Sequence, residues 1–340
     1  MDSLTQIVLG AACGEAVLGK KIGNKALLFG TIGGTIPDLD VFLGALLYNN
    51  EIDAMLFHRG FMHSILFSII GTFLFGFLAY KLYNTGKRFN TTALIDWIQL
   101  FFWSLLTHPI LDCFTPYGTQ LFAPFSNYRV AFNNIAVADP MYTAPFLICM
   151  LVLMFFKRAS KRRKQWLNYG IVISSMYMVF TIGNKLYIDY VFKKSLAEKN
   201  IEYSRFSSQP SILNNVLWYG IAETETSYQV AFYSLFDNSN RFSDWQELPK
   251  TRAITKAQNK DIEDLAWFSN DYFSVDKISK NTYLYKDLRY PLVKTKNGYK
   301  SIFGLALFKN DDRLDMKPFE PEVGEMDEAM SNLWKRMKGI

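Results

Sequence analysis

The chain has 340 residues, is 50% hydrophobic, and carries a formal net charge of +6 with a pI near 8.9. Long apolar runs fill roughly the first 190 residues, and the Lys and Arg residues cluster between them, so the positive charge reads as a membrane-topology signal and not as a nucleic-acid surface. Cys13, Cys113 and Cys149 are scattered through the apolar segments without CxxC spacing, which excludes a disulfide framework and reads as apolar packing.

In chain order, the N-terminal Met1-Asp2-Ser3 lacks a basic region, so no cleavable signal peptide is expected. A membrane span takes about 20 mostly apolar residues. Residues 4–18 are short for one and contain Glu15, which fits a tilted, shallow or re-entrant helix. Residues 26–48 form the second span; Pro37 predicts a kink there, because proline has no N–H and disfavours helical geometry at Ile36. Residues 62–83, 93–112, 141–156 and 166–191 complete a set of about six. Lys20, Lys21 and Lys25, then Lys81, Lys87 and Arg88, then the basic block 157–164 follow spans one, three and five. The intervening loops 49–62 and 113–140 carry only Arg59 and Arg129. The positive-inside rule then puts the basic loops in the cytoplasm, and the other loops, together with everything after span six, outside.

After about residue 195 the composition turns polar, with neither His nor Cys. Segments 216–222, 228–235, 282–285 and 301–308 predict strands, and 322–337 predicts a helix with Met326, Met330, Leu333, Trp334 and Met337 on one side. The fold class is therefore a polytopic α-helical membrane protein of about six spans (residues 1–194) with a small extracytoplasmic α+β domain (195–340). That domain has no recognisable catalytic motif and serves either as a cover over a site or as a passive or partner-binding appendage.

The chemistry-bearing residues concentrate in the membrane half. All three histidines lie beside carboxylates: His58 and His63 in Phe57-His58-Arg59-Gly60-Phe61-Met62-His63-Ser64, and His108 four residues before Asp112. Ile36-Pro37-Asp38-Leu39-Asp40 lies upstream and Asp139 downstream. Imidazole and carboxylate are the ligand set of Zn²⁺ and similar divalent metals. Asp38, Asp40, His58, His63, His108, Asp112 and Asp139 exceed one tetrahedral site, so one or two ions are expected. On a helix His108 and Asp112 share a face. A break at Pro37 lets Asp38 and Asp40 both turn inward, or lets one bind metal while the other orients a histidine. Span-end histidines and aspartates also serve as interfacial residues or helix caps; the clustering of all three histidines with carboxylates, near segments where charge is expensive, argues for a metal site. Glu15 and Asp40 are candidate general bases, with a further metal ligand or a polar contact between helices the other readings of Glu15. Arg59 is a candidate partner for an anionic group or a simple interfacial anchor.

These residues resemble the bacterial membrane-bound metal-dependent hydrolase family. The similarity rests on Met1-Asp2-Ser3-Leu4-Thr5-Gln6, Gly14-Glu15, the Pro-Asp-Leu-Asp segment, His58-Arg59-Gly60-Phe61-Met62-His63-Ser64, His108-Pro109-Ile110-Leu111-Asp112, residues 117–125 and Asp139-Pro140. It covers nearly all of the membrane half; Met62 stands where the family often has Thr. The Pro-Asp-x-Asp, paired-His and His-x-x-x-Asp order is also loosely similar to zinc-dependent phospholipase C. The resemblance implies a metal-dependent hydrolase of the bacterial inner membrane. Together with ligands at span ends it leads to the expectation of a lipid or lipid-linked (phospho)ester substrate at the outer face, with no nucleic-acid partner. A transporter with an intramembrane ion site and a structural protein with a metal staple are the alternatives; a transporter predicts internal repeats, and none is visible.

Overall fold

The computed structural model describes residues 1–295, 298–301, 303–319 and 325–340. The chain forms two compact units: residues 1–44, 57–183 and 212–214 in the first, and 45–56, 184–211 and 215–340 in the second.

The first unit is helical. Asp2 caps α1 (Ser3–Ile22), accepting from the Thr5 N–H at 3.1 Å, and Gly23, at φ +63°, turns the chain into α2 (Asn24–Thr35). Helices α1 and α2 meet backbone to backbone: a Cβ on Gly14 would lie 2.1 Å from the Ala26 carbonyl oxygen, and one on Gly10 would lie 2.4 Å from that of Gly30. Pro37 ends α2; a 3₁₀ turn, Pro37–Leu39, leads into α3 (Asp40–Leu47), and the pair bends by 45°. After α4 (Glu51–Phe57), whose residues 51–56 belong to the second unit, and a second 3₁₀ turn, Phe61–His63, Ser64 caps α5 (Ile65–Tyr83). Next comes α6 (Leu94–Asp112), which contains Pro109. Proline cannot donate to the carbonyl four residues back; here that carbonyl, Leu105, accepts instead from Ser68 Oγ of α5 at 3.2 Å. Asp139 caps α7 (Pro140–Leu153), and α8 (Lys161–Glu198) contributes residues 161–183 to this unit. Val8, Leu111, Phe146 and Leu153 form one core cluster, and Leu18, Trp97, Leu100 and Leu105 another.

The expectation of six spans is corrected. Among the described residues, three helices are long and apolar enough to cross a membrane (α5, α6 and α8), or four if the bent pair α2–α3 counts as one. Helix α1 has the length, but Thr5, Gln6 and Glu15 lie among its many buried residues: it is a polar-seamed interior helix. Helix α7 has 14 residues, about 21 Å, short of the bilayer's hydrocarbon thickness.

The second unit holds two four-stranded antiparallel sheets. The first, in the order β1 (Arg205–Pro210), β2 (Leu217–Glu223), β3 (Ser227–Ser234), β4 (Ser243–Pro249), is a meander in which Tyr219 pairs with Phe232. After α9 (Lys260–Phe268) come β5 (Phe273–Lys277), β6 (Thr282–Asp287) and the ribbon β7 (Leu292–Thr295) with β8 (Gly298–Ser301). With β9 (Gly304–Asn310) and β10 (Arg313–Pro318), β5 and β6 make the second sheet, in the order β10-β9-β6-β5. Helix α10 (Glu325–Met337) ends the chain. The expected strands 216–222, 228–235 and 282–285 correspond to β2, β3 and β6. The segment 301–308 is split, because β9 begins at Gly304 and residue 302 lies outside the described residues. In α10, Ala329 and Leu333 join the core with Met337 packed against it, whereas Trp334 is 57% exposed, so the expected single apolar side holds only in part; the Met326 side chain and residues 322–324 lie outside the described residues.

Candidate metal centre

Three elements of the first unit bring the site together. The 3₁₀ turn after Pro37 carries Asp38, the 3₁₀ turn before α5 carries His63, and the last turn of α6 carries His108 and Asp112. His63 Nε2 and His108 Nε2 stand 3.1 Å apart, and Asp38 Oδ1 lies 3.4 Å from each. Three ligand atoms on one face of a regular tetrahedron with such edges lie about 1.9–2.1 Å from its centre, which is the Zn–N and Zn–O bonding distance. Both histidines are buried, while the Asp38 side chain is 23% exposed and forms the solvent edge.

The protonation of the rings follows from their outer partners. His108 Nδ1 lies 2.6 Å from the Gly34 carbonyl oxygen, which only accepts, so Nδ1 carries the proton and Nε2 presents its lone pair inward. His63 Nδ1 lies 3.0 Å from Asp40 Oδ2, which favours the same tautomer. Two imidazole nitrogens 3.1 Å apart need a proton or a metal ion between them. Burial works against a charged His63, yet Asp38, Asp40 and Asp112 outweigh it and hold the imidazole's pKa above its ordinary value.

Asp112 Oδ2 faces the same two nitrogens at 3.4 and 3.5 Å, and this buried oxygen has no hydrogen-bond donor. Its other oxygen is held by Gln6 Nε2 at 3.0 Å and by the Met1 amino nitrogen. Gln6 also donates to the His108 carbonyl at 3.2 Å. Buried beside the imidazole nitrogens and 3.4 Å from Arg59 Nε, this oxygen already faces one cation and is placed to serve as a fourth ligand.

Asp40 holds the periphery. Its Oδ1 pairs with His58 Nδ1 at 2.7 Å, and its Oδ2 accepts from the Arg59 N–H at 3.0 Å. His58, His63 and Asp40 form a second possible three-donor group. However, 2.7 Å is a hydrogen-bond distance and is shorter than the roughly 3.3 Å separating two ligands of one tetrahedral ion. The geometry thus offers one donor face at the centre, with Asp40 and His58 outside it, in place of the two-ion arrangement that seven candidates allowed. Arg59 is buried at φ +60°, uncommon for a side chain with a Cβ. Its N–H goes to Asp40, and its carbonyl accepts from Gln120 N at 3.0 Å. The guanidinium donates to Thr115 Oγ1 at 3.0 Å, lies 3.4 Å from Asp112 Oδ2, and stacks 4.6 Å from the Tyr117 ring centre.

Two expected site residues lie elsewhere. Both Glu15 oxygens accept from Arg163, at 2.6 Å each, so Glu15 belongs to a buried ion pair and is not among the grouped donors. Asp139 caps α7 through the Met141 N–H at 3.0 Å and accepts from Tyr177 Oη at 2.9 Å, with burial pushing its pKa up, and it is not among the grouped donors. Gln6, Gly34, Thr115 and Tyr117 are contributors that sequence reasoning did not assign. A polar Gln6 within an apolar helix was the available signal; the carbonyl of Gly34 leaves none.

Residues 1–187 match the model of a family described as YdjM inner membrane protein. Uncharacterized protein YfhP of Bacillus subtilis (strain 168) is 29% identical over 189 residues, 53% of this chain and 53% of its own length. Inner membrane protein YbcI of Escherichia coli (strain K12) is 33% identical over 144 residues, 38% of this chain and 74% of its own. The chain thus spans about half the length of the Bacillus relative. No solved structure matches it.

Proposed function

As the chain belongs to the YdjM inner membrane protein family and so to the cytoplasmic membrane, we propose that it is a metal-dependent hydrolase acting on a lipid or lipid-linked ester, most simply a phosphoester. The observation that carries this reading is the open triad: Asp38 Oδ1, His63 Nε2 and His108 Nε2 at 3.1–3.4 Å, three protein donors with a solvent edge at Asp38. Three protein ligands and a free position are the pattern of catalytic zinc, and a divalent metal there supplies Lewis acidity and activates water. The chain's own residues do the rest. The Gly34 carbonyl fixes the His108 tautomer, and Asp40 Oδ2, 3.0 Å from His63 Nδ1, favours the same tautomer there. Asp40 also orients the half-buried His58, whose Nδ1 it holds, making the other ring nitrogen the proton acceptor. Arg59, fixed by Asp112, Thr115 and Tyr117, supplies positive charge for an anionic headgroup. The active face and the C-terminal unit are proposed to lie outside the cytoplasm, as the basic loops imply.

One observation favours a second reading. If Asp112 Oδ2 takes the fourth position, the ion is closed and staples α6 to the turns that carry Asp38 and His63. Detergent-solubilised protein incubated with membrane phospholipids and polyprenyl phosphates, with and without chelator, separates the two. Chelator-sensitive release of headgroup or phosphate that is lost in His63→Ala supports the hydrolase. A chelator that lowers the melting temperature of a protein with no turnover on any lipid supports the staple.

A further inference from the structure

The segment between α6 and α7 carries a single Lys or Arg residue, Arg129, and the hydrolase reading gives it no role. Its guanidinium carbon lies 5.1 Å from the centre of the Tyr117 ring, the same ring that Arg59 approaches at 4.6 Å. We infer that Arg129 is a specificity residue: with Tyr117 and Arg59 it forms an anion subsite at the rim of the metal centre, which takes the second phosphate of a lipid diphosphate. The inference deepens the hydrolase reading and takes from it only that an anionic ester comes to the Asp38–His63–His108 centre.

Three observations carry it. First, Tyr117 is continuous with the centre. The His58 ring lies 5.6 Å from the Tyr117 ring and 5.4 Å from that of His63, and Arg59 reaches from Tyr117 to Asp112 Oδ2 at 3.4 Å. Second, the loop is folded so as to keep Arg129 against that ring. Thr119 and Val130 exchange backbone bonds of 3.1 and 2.9 Å, and the next residue, Gln120, donates to the Arg59 carbonyl at 3.0 Å. Gly118, at φ +79°, permits the close approach: a Cβ there would lie 3.1 Å from Arg129 Cβ. Arg129 Nη2 donates to the Gly118 carbonyl at 3.0 Å, which ties the guanidinium to the loop. Third, the two cations stand at different depths. Arg59 is buried and faces Asp112 and Thr115, whereas Arg129 and Tyr117 are half-buried, as are the rim groups His58 and Asp38. A planar guanidinium held against an aromatic ring is suited to a phosphate. A phosphate at the metal meets Arg59, and a second phosphate bonded to it meets Arg129 on the same ring. A phosphodiester headgroup brings one negative charge, which Arg59 already answers; a diphosphate brings the further charge that makes use of Arg129.

The test uses the full-length chain in detergent, loaded with Zn²⁺, and two probes that cannot be cleaved: geranyl phosphonate and a geranyl diphosphate analogue whose bridging oxygens are replaced by methylene. Isothermal titration gives the affinity for each, and elemental analysis afterwards checks that the second probe has not withdrawn the metal. Wild type is expected to bind the diphosphate analogue about tenfold or more tighter than the phosphonate. Arg129→Gln should remove that preference and leave the phosphonate affinity within about twofold, and Arg129→Lys should restore part of it, because the charge returns without the planar fork. Equal weakening of both probes by Arg129→Gln makes Arg129 a brace of the loop and overturns the inference, as does an undiminished preference. Should Arg129→Gln fail to fold, equal affinities in wild type, or a full wild-type preference in Arg129→Lys, overturn it. Turnover of cleavable lipid phosphates on the same samples reports on the hydrolase separately: an Arg129-dependent preference without turnover leaves the subsite standing and sinks the hydrolase, and turnover without the preference does the reverse.

Discussion

Glu15 is the residue whose assignment changed most, and its replacement gives the sharpest expectation. Its carboxylate and the Arg163 guanidinium are 5% and 2% exposed and joined by two bonds of 2.6 Å. Arg163 also donates to Asn24 Oδ1 at 2.7 Å and to the carbonyls of Leu153 at 3.3 Å and Phe156 at 3.1 Å, tying the ends of α7 and α8 to the α1–α2 hairpin. Removing one partner of a buried pair costs about 3–5 kcal/mol, because the other charge is left buried and uncompensated. Glu15→Ala leaves Arg163 its three other acceptors, which puts the cost near the lower end, about 3 kcal/mol. Arg163→Met strands a buried carboxylate and frees two helix-end carbonyls, for about 5 kcal/mol. The pair replaced together, Glu15→Leu with Arg163→Met, restores apolar packing and loses only the bonds to Asn24 and the two carbonyls, about 2–3 kcal/mol, so the cycle shows strong coupling. Unfolding free energies from reversible denaturation in mixed micelles measure all three, and elemental analysis of the same samples should find wild-type metal content. A Glu15→Ala variant that costs less than about 1 kcal/mol, or one that stays folded but loses its metal, would return Glu15 to the active centre.

Asp40→Asn should leave the inner donors in place but misorient His63 and His58, lowering metal affinity by about 10–100-fold, while His63→Ala or His108→Ala should abolish stoichiometric metal; competition with a chromophoric chelator reads both, and unchanged affinity in Asp40→Asn would remove it from the centre. A reporter enzyme active only outside the cytoplasm, fused after Ile340, should be active; activity of a cytoplasm-only reporter there would invert the proposed orientation.

The inner donors were legible because imidazole stands out against apolar sequence and because His108 and Asp112 fall on one helical face, which the 3.5 Å approach of their side chains reflects. The kink at Pro37 was legible for the same kind of reason: a missing N–H has a local consequence. What failed was every inference that needed to know a partner. Glu15 and Asp139 carry the same signal as Asp38, a carboxylate by an apolar run, yet one faces Arg163 and the other Tyr177. Arg163 itself sits in a block of Lys and Arg residues, and nothing in that block distinguishes the one cation that folds inward. The span count failed because hydropathy reports what a helix contains, not what surrounds it: α1 is covered by other helices and keeps Thr5, Gln6 and Glu15 in its seams. In the second unit alternation marked β2 and β3, whereas the buried side of α10 depends on which residues meet the core.

Pro109 has a consequence for how the two halves of the centre are held. Because the Leu105 carbonyl receives Ser68 Oγ instead of a backbone N–H, the last turn of α6 lacks one rung to the rest of its helix, and that rung runs sideways to α5. His108 and Asp112 ride on this turn, and Ser68 lies one turn into α5, just past His63 and the capping Ser64. The turn that carries His108 and Asp112 therefore has one tie fewer to the α6 shaft, while the shaft itself is tied at Leu105 to α5, one turn past the residues that set His63. The donors thus stand on a helix end that is held less tightly along its own axis than the shaft is held sideways.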